Sequence, residues 1–387
     1  MFFRFSLILL LVPLSTLFAQ GPDGHYLCDA TQERFFEATF DSVIVTKDIL
    51  YSRMPNYDGD TLDLLLDVYE PFGDTASRRP TMMICHGGAF IQGSKTDGSI
   101  RPFLLEMAKR GYVIVSINYR LDSQNNILAN IFGDVEDVVY KAFFRATQDG
   151  RAAFRYMWKT AREDGNPYRI DTSRYYFSGG SAGGILALYG VFADIDEWKS
   201  SDALSDTSIF TQLGGLDGSG FGEYPMAPYG VFQIAGAIGD TSFIDRNDIP
   251  MISQHGTADL IVPYGNGGYT IPGVVNVPLQ GSELVHQRLI NLGANSVLQP
   301  WEGAGHVPWA QGDDNGDAYL DTSLAHLVSH SYALTCDVPA PEYVYFYGPT
   351  GRNERLPTIE MRVYPNPAVR EATLQVPGLN GRYSVDV

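Results

Sequence analysis

The stretch Gly179-Gly180-Ser181-Ala182-Gly183 fits the pattern G-x-S-x-G, in which a serine occupies a sharp turn between a strand and a helix. A serine hydroxyl is a weak nucleophile at neutral pH, so chemistry at Ser181 requires a base and a group that orients the base. Seven histidines are available, and His306, in Glu302-Gly-Ala-Gly-His-Val-Pro308, is the candidate base. It falls in a loop between the strand-like run Ser296 to Trp301 and the last helix, where an imidazole could reach Ser181. The candidate acid is Asp259, just past the strand end in His255-Gly-Thr-Ala-Asp259, whereas Asp245 and Asp248 precede that strand and belong to its far edge. Cys85-His86-Gly87-Gly88-Ala89-Phe90 supplies a fourth part. Small residues after a strand let main-chain N–H groups face a cleft, and the amides of Gly88, Ala89 and Ala182 are the candidate oxyanion donors. Each such donor is worth roughly 2.7–4 kcal/mol in the transition state. The chemistry these residues could do together is acyl transfer to water.

Other candidates carry less. His86 and His255 each end a strand beside a glycine. His326 and His330 have the i, i+4 spacing of metal ligands but lack a third ligand in sequence, so a solvated helix face is expected and no metal. Asp313-Asp-Asn-Gly-Asp317 with Asp321 alternates like a calcium loop but lacks the glycine and distal-glutamate spacing of an EF-hand, which reads as a solvated acidic loop.

The elements that must position these groups alternate between β-rich and helical periodicity from about residue 43, the pattern of a mostly parallel sheet with helices on both faces, an α/β fold. Strands are expected at Thr61 to Tyr69, Pro80 to Cys85, Tyr112 to Asn118, Arg174 to Phe177, Val231 to Ile238 and Pro250 to His255. Helices are expected where Ile100, Phe103, Leu104, Met107 and Ala108 recur at helical spacing, then over Asp134 to Arg162, Ala182 to Phe192, Ser282 to Leu292 and Ala318 to Ala333. Ser181 thus stands where a strand meets a helix. Asp196 to Tyr229 and Val262 to Gly281 lack strong periodicity and are expected to form the rims of a substrate cleft. Phe90, Trp198, Tyr229 and Trp309, with Phe221 and Tyr224, are the expected aromatic lining.

Composition narrows the partners. The chain has 387 residues, 44 % apolar, with 27 basic against 45 acidic residues and a net charge of −18, which opposes nucleic acid and anionic lipid and suits a small neutral substrate. Arg4 before the apolar run Phe5 to Val12, with a small residue at Ala19, reads as a secretory signal peptide over residues 1–19, and no other segment is long and apolar enough to span a membrane. Export permits disulfides. Of Cys28, Cys85 and Cys336, the outer two flank the folded region and are expected to pair, leaving Cys85 as a buried thiol.

The blocks HGGAF, GGSAGG, HGTAD and GAGH, in the order serine, aspartate, histidine, resemble the α/β-hydrolases of the carboxylesterase and lipase type over residues 43 to 335. That resemblance implies an α/β-hydrolase fold and an esterase using Ser181, His306 and Asp259 with no cofactor. Ala89 stands where many relatives have a third glycine, which disfavours bulky tertiary-alcohol esters. A serine peptidase or lipase is the neighbouring alternative, and a surface binding protein on a disabled hydrolase scaffold the alternative from another class. Val363-Tyr-Pro-Asn-Pro367 is similar to the start of the sorting domain of type IX secretion in Bacteroidota, which implies the secretion machinery as a partner and a secreted or cell-surface location. The expected organisation is a signal peptide at 1–19, a catalytic domain at 20–338, a linker at 339–361 and a shortened sorting domain at 362–387.

Overall fold

The computed structural model describes residue 28, residues 34–123, 126, 135–200, 207–271, 275–310 and 316–341, and the short strand pair Ala372–Leu374 and Tyr383–Val385. The expected signal peptide, almost all of the linker, most of the sorting region and residues 313–315 of the acidic loop lie outside the described residues.

The strands are β1 (Val43–Pro55), β2 (Thr61–Pro71), β3 (Arg79–Cys85), β4 (Val113–Ile117), β5 (Ile170–Gly180), β6 (Gly230–Ile234), β7 (Ala237–Ile238), β8 (Met251–Gly256), β9 (Asn266–Ile271), β10 (Val275–Gly281) and β11 (Ser296–Trp301). The helices are α1 (Arg101–Lys109), α2 (Val135–Arg162), α3 (Ala182–Phe192), the short α4 (Ile195–Ser200) and α5 (Ser208–Gln212), α6 (Ser282–Asn291) and α7 (Gly316–Cys336). An eight-stranded sheet in the order β1-β2-β4-β3-β5-β6-β8-β11 runs through the centre. β1 and β2 enter antiparallel, and every pairing from β4 to β11 is parallel. This is the α/β-hydrolase arrangement.

Side-chain alternation sends each strand's residues to two cores. Met83 and Cys85 of β3 join the core under α2 and α3, while Met82 and Ile84 join the one under α1 and α7. Strands β3, β4, β6 and β8 are buried at every position, as parallel strands with both faces covered must be. Helix α1 buries Phe103, Leu104, Met107 and Ala108 on one stripe, and each large member contributes about 1.5–3 kcal/mol. Helix α3 is buried nearly all round, so it has no amphipathic stripe and sits tight on the sheet. A disulfide joins Cys28 to Cys336 across 308 residues with Cα atoms 5.7 Å apart, and Cys85 is a buried thiol.

Four expectations are corrected. Val262 to Gly281 is not an irregular rim: it holds β9 and β10, which pair antiparallel and add β7 to make a second, three-stranded sheet. Two glycines in β9 and Pro278 in β10 hide the period-two pattern. The described parts of Asp196 to Tyr229 fold over α2 instead, where the Gln148 amide donates to the Leu213 carbonyl and the Ser219 hydroxyl to Asp149. Val231 to Ile238 is two strands, because Ala235 adopts φ 50° and turns the chain from one sheet to the other. His326 and His330 are half-buried, not solvated; their rings lie 4.4 Å apart and burial pushes His326 down to about 3. No group of three metal-ligating side chains occurs among the described residues.

Candidate active site

Strand β5 ends at Gly180 and α3 begins at Ala182, so the whole turn is made by Ser181, held at φ 55° and ψ −121°. A non-glycine residue there costs about 1–3 kcal/mol, and surrounding structure must over-determine it. The Ser181 amide donates to the Ile234 carbonyl at 2.8 Å. Crowding explains the motif's outer glycines: a Cβ on Gly179 would stand 2.2 Å from the Gly183 carbonyl oxygen, and one on Gly183 2.1 Å from that of Cys85. At Gly180 the same atom would meet nothing closer than 3.9 Å, so no such constraint acts there.

The Ser181 hydroxyl lies 2.7 Å from His306 Nε2, and His306 Nδ1 lies 2.6 Å from Asp259 Oδ2. Facing a carboxylate, Nδ1 carries the proton and donates, which leaves the Nε2 lone pair to accept from the serine O–H. Three separate segments meet here: the β5–α3 turn, the loop after β8 and the loop after β11. The Asp259 side chain is fully buried and His306 nearly so. Burial opposes ionisation of Asp259; hydrogen bonds from His255 and then His306 overcome it and hold the carboxyl well below the usual carboxylate range. Its other oxygen, Oδ1, accepts from the amides of Ile261 at 2.8 Å and Val262 at 3.0 Å.

In the loop after β3, whose Gly87 approaches Ser181, the residues Gly88, Ala89 and Phe90 take φ of 112°, 57° and 62° in succession. Gly88 must be glycine, since a Cβ would fall 2.1 Å from the Gln92 carbonyl oxygen. Among the described residues no acceptor meets the amides of Gly88, Ala89 or Ala182. The first N–H groups of a helix have no intrahelical partner, so Ala182 brings a free donor beside the serine. His86 is used otherwise: its ring stacks on Tyr119 at 4.3 Å and Nδ1 lies 2.6 Å from the Gly87 carbonyl oxygen.

Ser181 and His306 open on a cavity of about 590 Å³ whose apolar walls include Phe103, Phe232, Ile234 and Trp309. Of the four aromatic residues nominated from sequence, Trp309 lines it, with its indole N–H donating to the Ser99 carbonyl. The other three do not. Phe90 is 1 % exposed, because the left-handed turn swings it onto Phe143 and Tyr119. Trp198 is buried among Phe144, Tyr189 and Tyr140. Tyr229 precedes β6 at the amino end of the strands, away from the site, with its hydroxyl donating to the Leu334 carbonyl and Arg174 over its ring. Phe221 and Tyr224 pack near α2, on Tyr156 and Glu163. Among the described residues, neither of the two long segments expected to form rims reaches this cavity. Phe103 and Phe232 were legible only as core residues, since their helical and strand spacing does not reveal that one edge faces a cavity. Asp97, Ser99 and Asp317 add a polar margin.

Fold and constellation together define the class: this is an α/β-hydrolase fold that brings a serine, a histidine and an aspartate together at the carboxyl ends of its parallel strands. Comparison with known proteins agrees at that level. The family described as BD-FAE matches residues 66–207. An esterase of the planctomycete Thermogutta terrifontis, Est2 with propionate bound, is 20 % identical and superposes with a TM-score of 0.51 over 78 % of this chain and 97 % of that one. The apo form of Thermogutta terrifontis esterase 2 is 21 % identical over 78 % of this chain and 98 % of that one, with a TM-score of 0.49. A stretch of 97 residues is 33 % identical to the non-reducing polyketide synthase atr1 of Stereocaulon alpinum, covering 24 % of this chain; the chain spans about 4 % of the length of that curated relative.

Proposed function

We propose that the protein is a secreted serine carboxylic-ester hydrolase working through Ser181, His306 and Asp259 by way of an acyl-enzyme. The observation that carries this reading is the unbroken hydrogen-bonded line from the serine hydroxyl through both imidazole nitrogens to a buried carboxylate, opening on an apolar cavity beside free main-chain donors. His306 Nε2 takes the hydroxyl proton as Oγ attacks the ester carbonyl, and Asp259 holds the imidazole tautomer and stabilises its charged form. The oxyanion that develops is met by the amides of Gly88, Ala89 and Ala182. His306 then returns the proton to the leaving alcohol oxygen, and water repeats the sequence to release the acid.

The substrate class is short-chain esters or esters linked to carbohydrate or aromatic groups, which suits walls made by Phe103, Phe232 and Trp309. Secretion rests on the signal-peptide and sorting-domain patterns at the two ends of the sequence, with the domain organisation that they imply. Replacing Ser181 by alanine is expected to abolish turnover of short-chain p-nitrophenyl esters and covalent labelling by a fluorophosphonate while circular dichroism stays native. Retained turnover by that variant rejects the reading. Comparing acetyl, butyryl, long-chain and feruloyl esters on the wild type then orders the substrates.

A further inference from the structure

Asp259 serves two histidines. Besides His306, its Oδ2 lies 3.2 Å from Nε2 of His255, the fully buried residue one step before the end of β8. That nitrogen also lies 3.1 Å from the Val262 carbonyl oxygen. Both neighbours can only accept, so Nε2 of His255 bears a proton whatever the state of the rest of the ring. At the other nitrogen, Nδ1, the Ser282 hydroxyl lies at 2.7 Å. Ser282 accepts from the Gln233 amide at 2.8 Å and lies 3.2 Å from the Gly236 carbonyl oxygen, and Gln233 in turn accepts from the Gly236 amide at 2.7 Å. Every member of this line is buried, and it ties β6, β8 and α6 to the carboxylate.

We propose that His255, anchored by Ser282 and Gln233, is a positioning residue for the Ser181–His306–Asp259 reaction: it donates to Asp259 Oδ2 and so fixes the carboxylate that fixes His306. This rests on the esterase reading above. The geometry makes the division of labour explicit. Two amides occupy Oδ1 and two imidazoles occupy Oδ2, which fills the roughly four acceptor sites of a carboxylate. The amides alone leave Oδ2 free to rotate about their axis; the His255 donor removes that freedom. It also draws electron density from the oxygen that His306 uses, so removing it leaves Asp259, and the hydrogen-bonded pair it forms with His306, more basic. The side chain of His255 does not line the cavity, so substrate binding is not its business. Apart from Asp259, and His306 beyond it, the titratable side chain against the ring is Tyr264, packed edge-on at 5.6 Å.

The test uses full-length protein, p-nitrophenyl acetate and pH profiles of kcat/KM, with the fluorophosphonate reaction as a separate check on Ser181. His255→Leu is expected to lower kcat by roughly 10- to 100-fold, within the range of a general-base contribution, with KM within about twofold, and to move the acid limb of the profile to higher pH. His255→Gln, whose amide N–H can reach the position of Nε2, is expected to restore most of the rate and the wild-type limb. Ser282→Ala is expected to move the limb in the same direction by less, and it decides the matter if His255→Leu fails to fold. A folded His255→Leu protein with wild-type kcat and acid limb overturns the inference, as does a His255→Gln variant no better than His255→Leu, or a Ser282→Ala variant with an unmoved limb. If Ser181→Ala keeps turnover, the esterase reading itself falls and takes this inference with it.

Discussion

The dipeptide His-Gly occurs at the carboxyl ends of two parallel strands, His86-Gly87 after β3 and His255-Gly256 at the end of β8, and the two ends do opposite things with it. Both imidazoles are buried. At β3 the ring closes on its own strand end, stacked on Tyr119 with Nδ1 against the next carbonyl, and only the backbone that follows faces the cavity. At β8 the ring reaches forward four residues to Asp259. The glycines differ as well. A Cβ on Gly256 would strike the carbonyl oxygens of Gly305 and Ala304 at 2.3 and 2.4 Å, the backbone that carries His306; a Cβ on Gly87 would only touch Ser181 Cβ and the Gly180 carbonyl oxygen at 3.3 Å. What a strand-end dipeptide does is decided by which loop it supports, not by the dipeptide.

The largest expected break in this comparison comes from Gly256→Ala. The clash is with main chain, so the loop has to retreat, and the Ala258 amide that donates to the Ala304 carbonyl at 2.9 Å is dragged with it. A displacement near 1 Å at His306 is worth about 100-fold in rate. The expected outcome is a fall of that order in kcat with the protein still folded by near-ultraviolet circular dichroism. An unchanged kcat would mean that the β8 end does not hold the His306 loop in place.

The two ends are also expected to separate by pH. Burial, opposed by the hydrogen bond to Gly87, depresses His86 below its ordinary value of 6.5. A base depressed in the fold binds protons more readily when unfolded, so stability is lost as pH falls below about 6.5 toward the folded value. The Asp259 carboxyl is depressed in the fold despite burial, by the donors from His255 and His306, so its contribution is intact above the ordinary 3.8 and is lost only as pH falls below that. Melting temperature against pH should therefore flatten as pH falls below about 6.5 in His86→Gln, and only below about pH 4 in Asp259→Asn. Flattening in the same window for both variants would contradict the contrast.

Much of this arrangement was legible in the sequence, and the misses have physical causes. Ala182 to Phe192 and Ser296 to Trp301 have the boundaries expected; the helix is marked by its run of small and apolar residues after the serine turn. Ser181, His306 and Asp259 meet within hydrogen-bond distance because each follows the carboxyl end of a parallel strand, and parallel strands converge those ends on one side of the sheet. The β9–β10 pair was hidden by glycine and Pro278, which weaken strand signals without preventing an edge pairing. Phe90 and Trp198 were misassigned because residue type cannot say whether an aromatic ring fills a core or lines a cleft. That choice was made by a positive φ at Phe90 and by packing partners from α2 and α3 at Trp198. His255 was visible as a strand-end histidine, but its role needs Ser282 and Gln233, which are remote in sequence.

Gly87→Ala is the smallest expected effect and the finest test of the contrast. The φ of Gly87 is not in the left-handed region, so alanine brings no backbone penalty, and the added methyl meets Ser181 Cβ and the Gly180 carbonyl oxygen at 3.3 Å, with Ser181 Oγ at 3.9 Å. Relief needs a shift of a few tenths of an ångström. The elbow resists even that, because the Ser181 amide is tied to the Ile234 carbonyl and Gly183 is wedged against Cys85. The strain should therefore appear in the nucleophile's aim, not in stability: a loss of roughly three- to tenfold in kcat/KM, well short of the cost of a 1 Å misplacement. Melting temperature should fall by no more than about 2 °C, since a single accommodated methyl costs well under the 1–3 kcal/mol of true overpacking. Fluorophosphonate labelling of Ser181 should slow by a similar factor, because that reaction uses the same attack. A loss as deep as that of Gly256→Ala would mean that the elbow and the His306 loop are equally intolerant. The difference of about an ångström in clearance at the two glycines would then not be what distinguishes the strand ends.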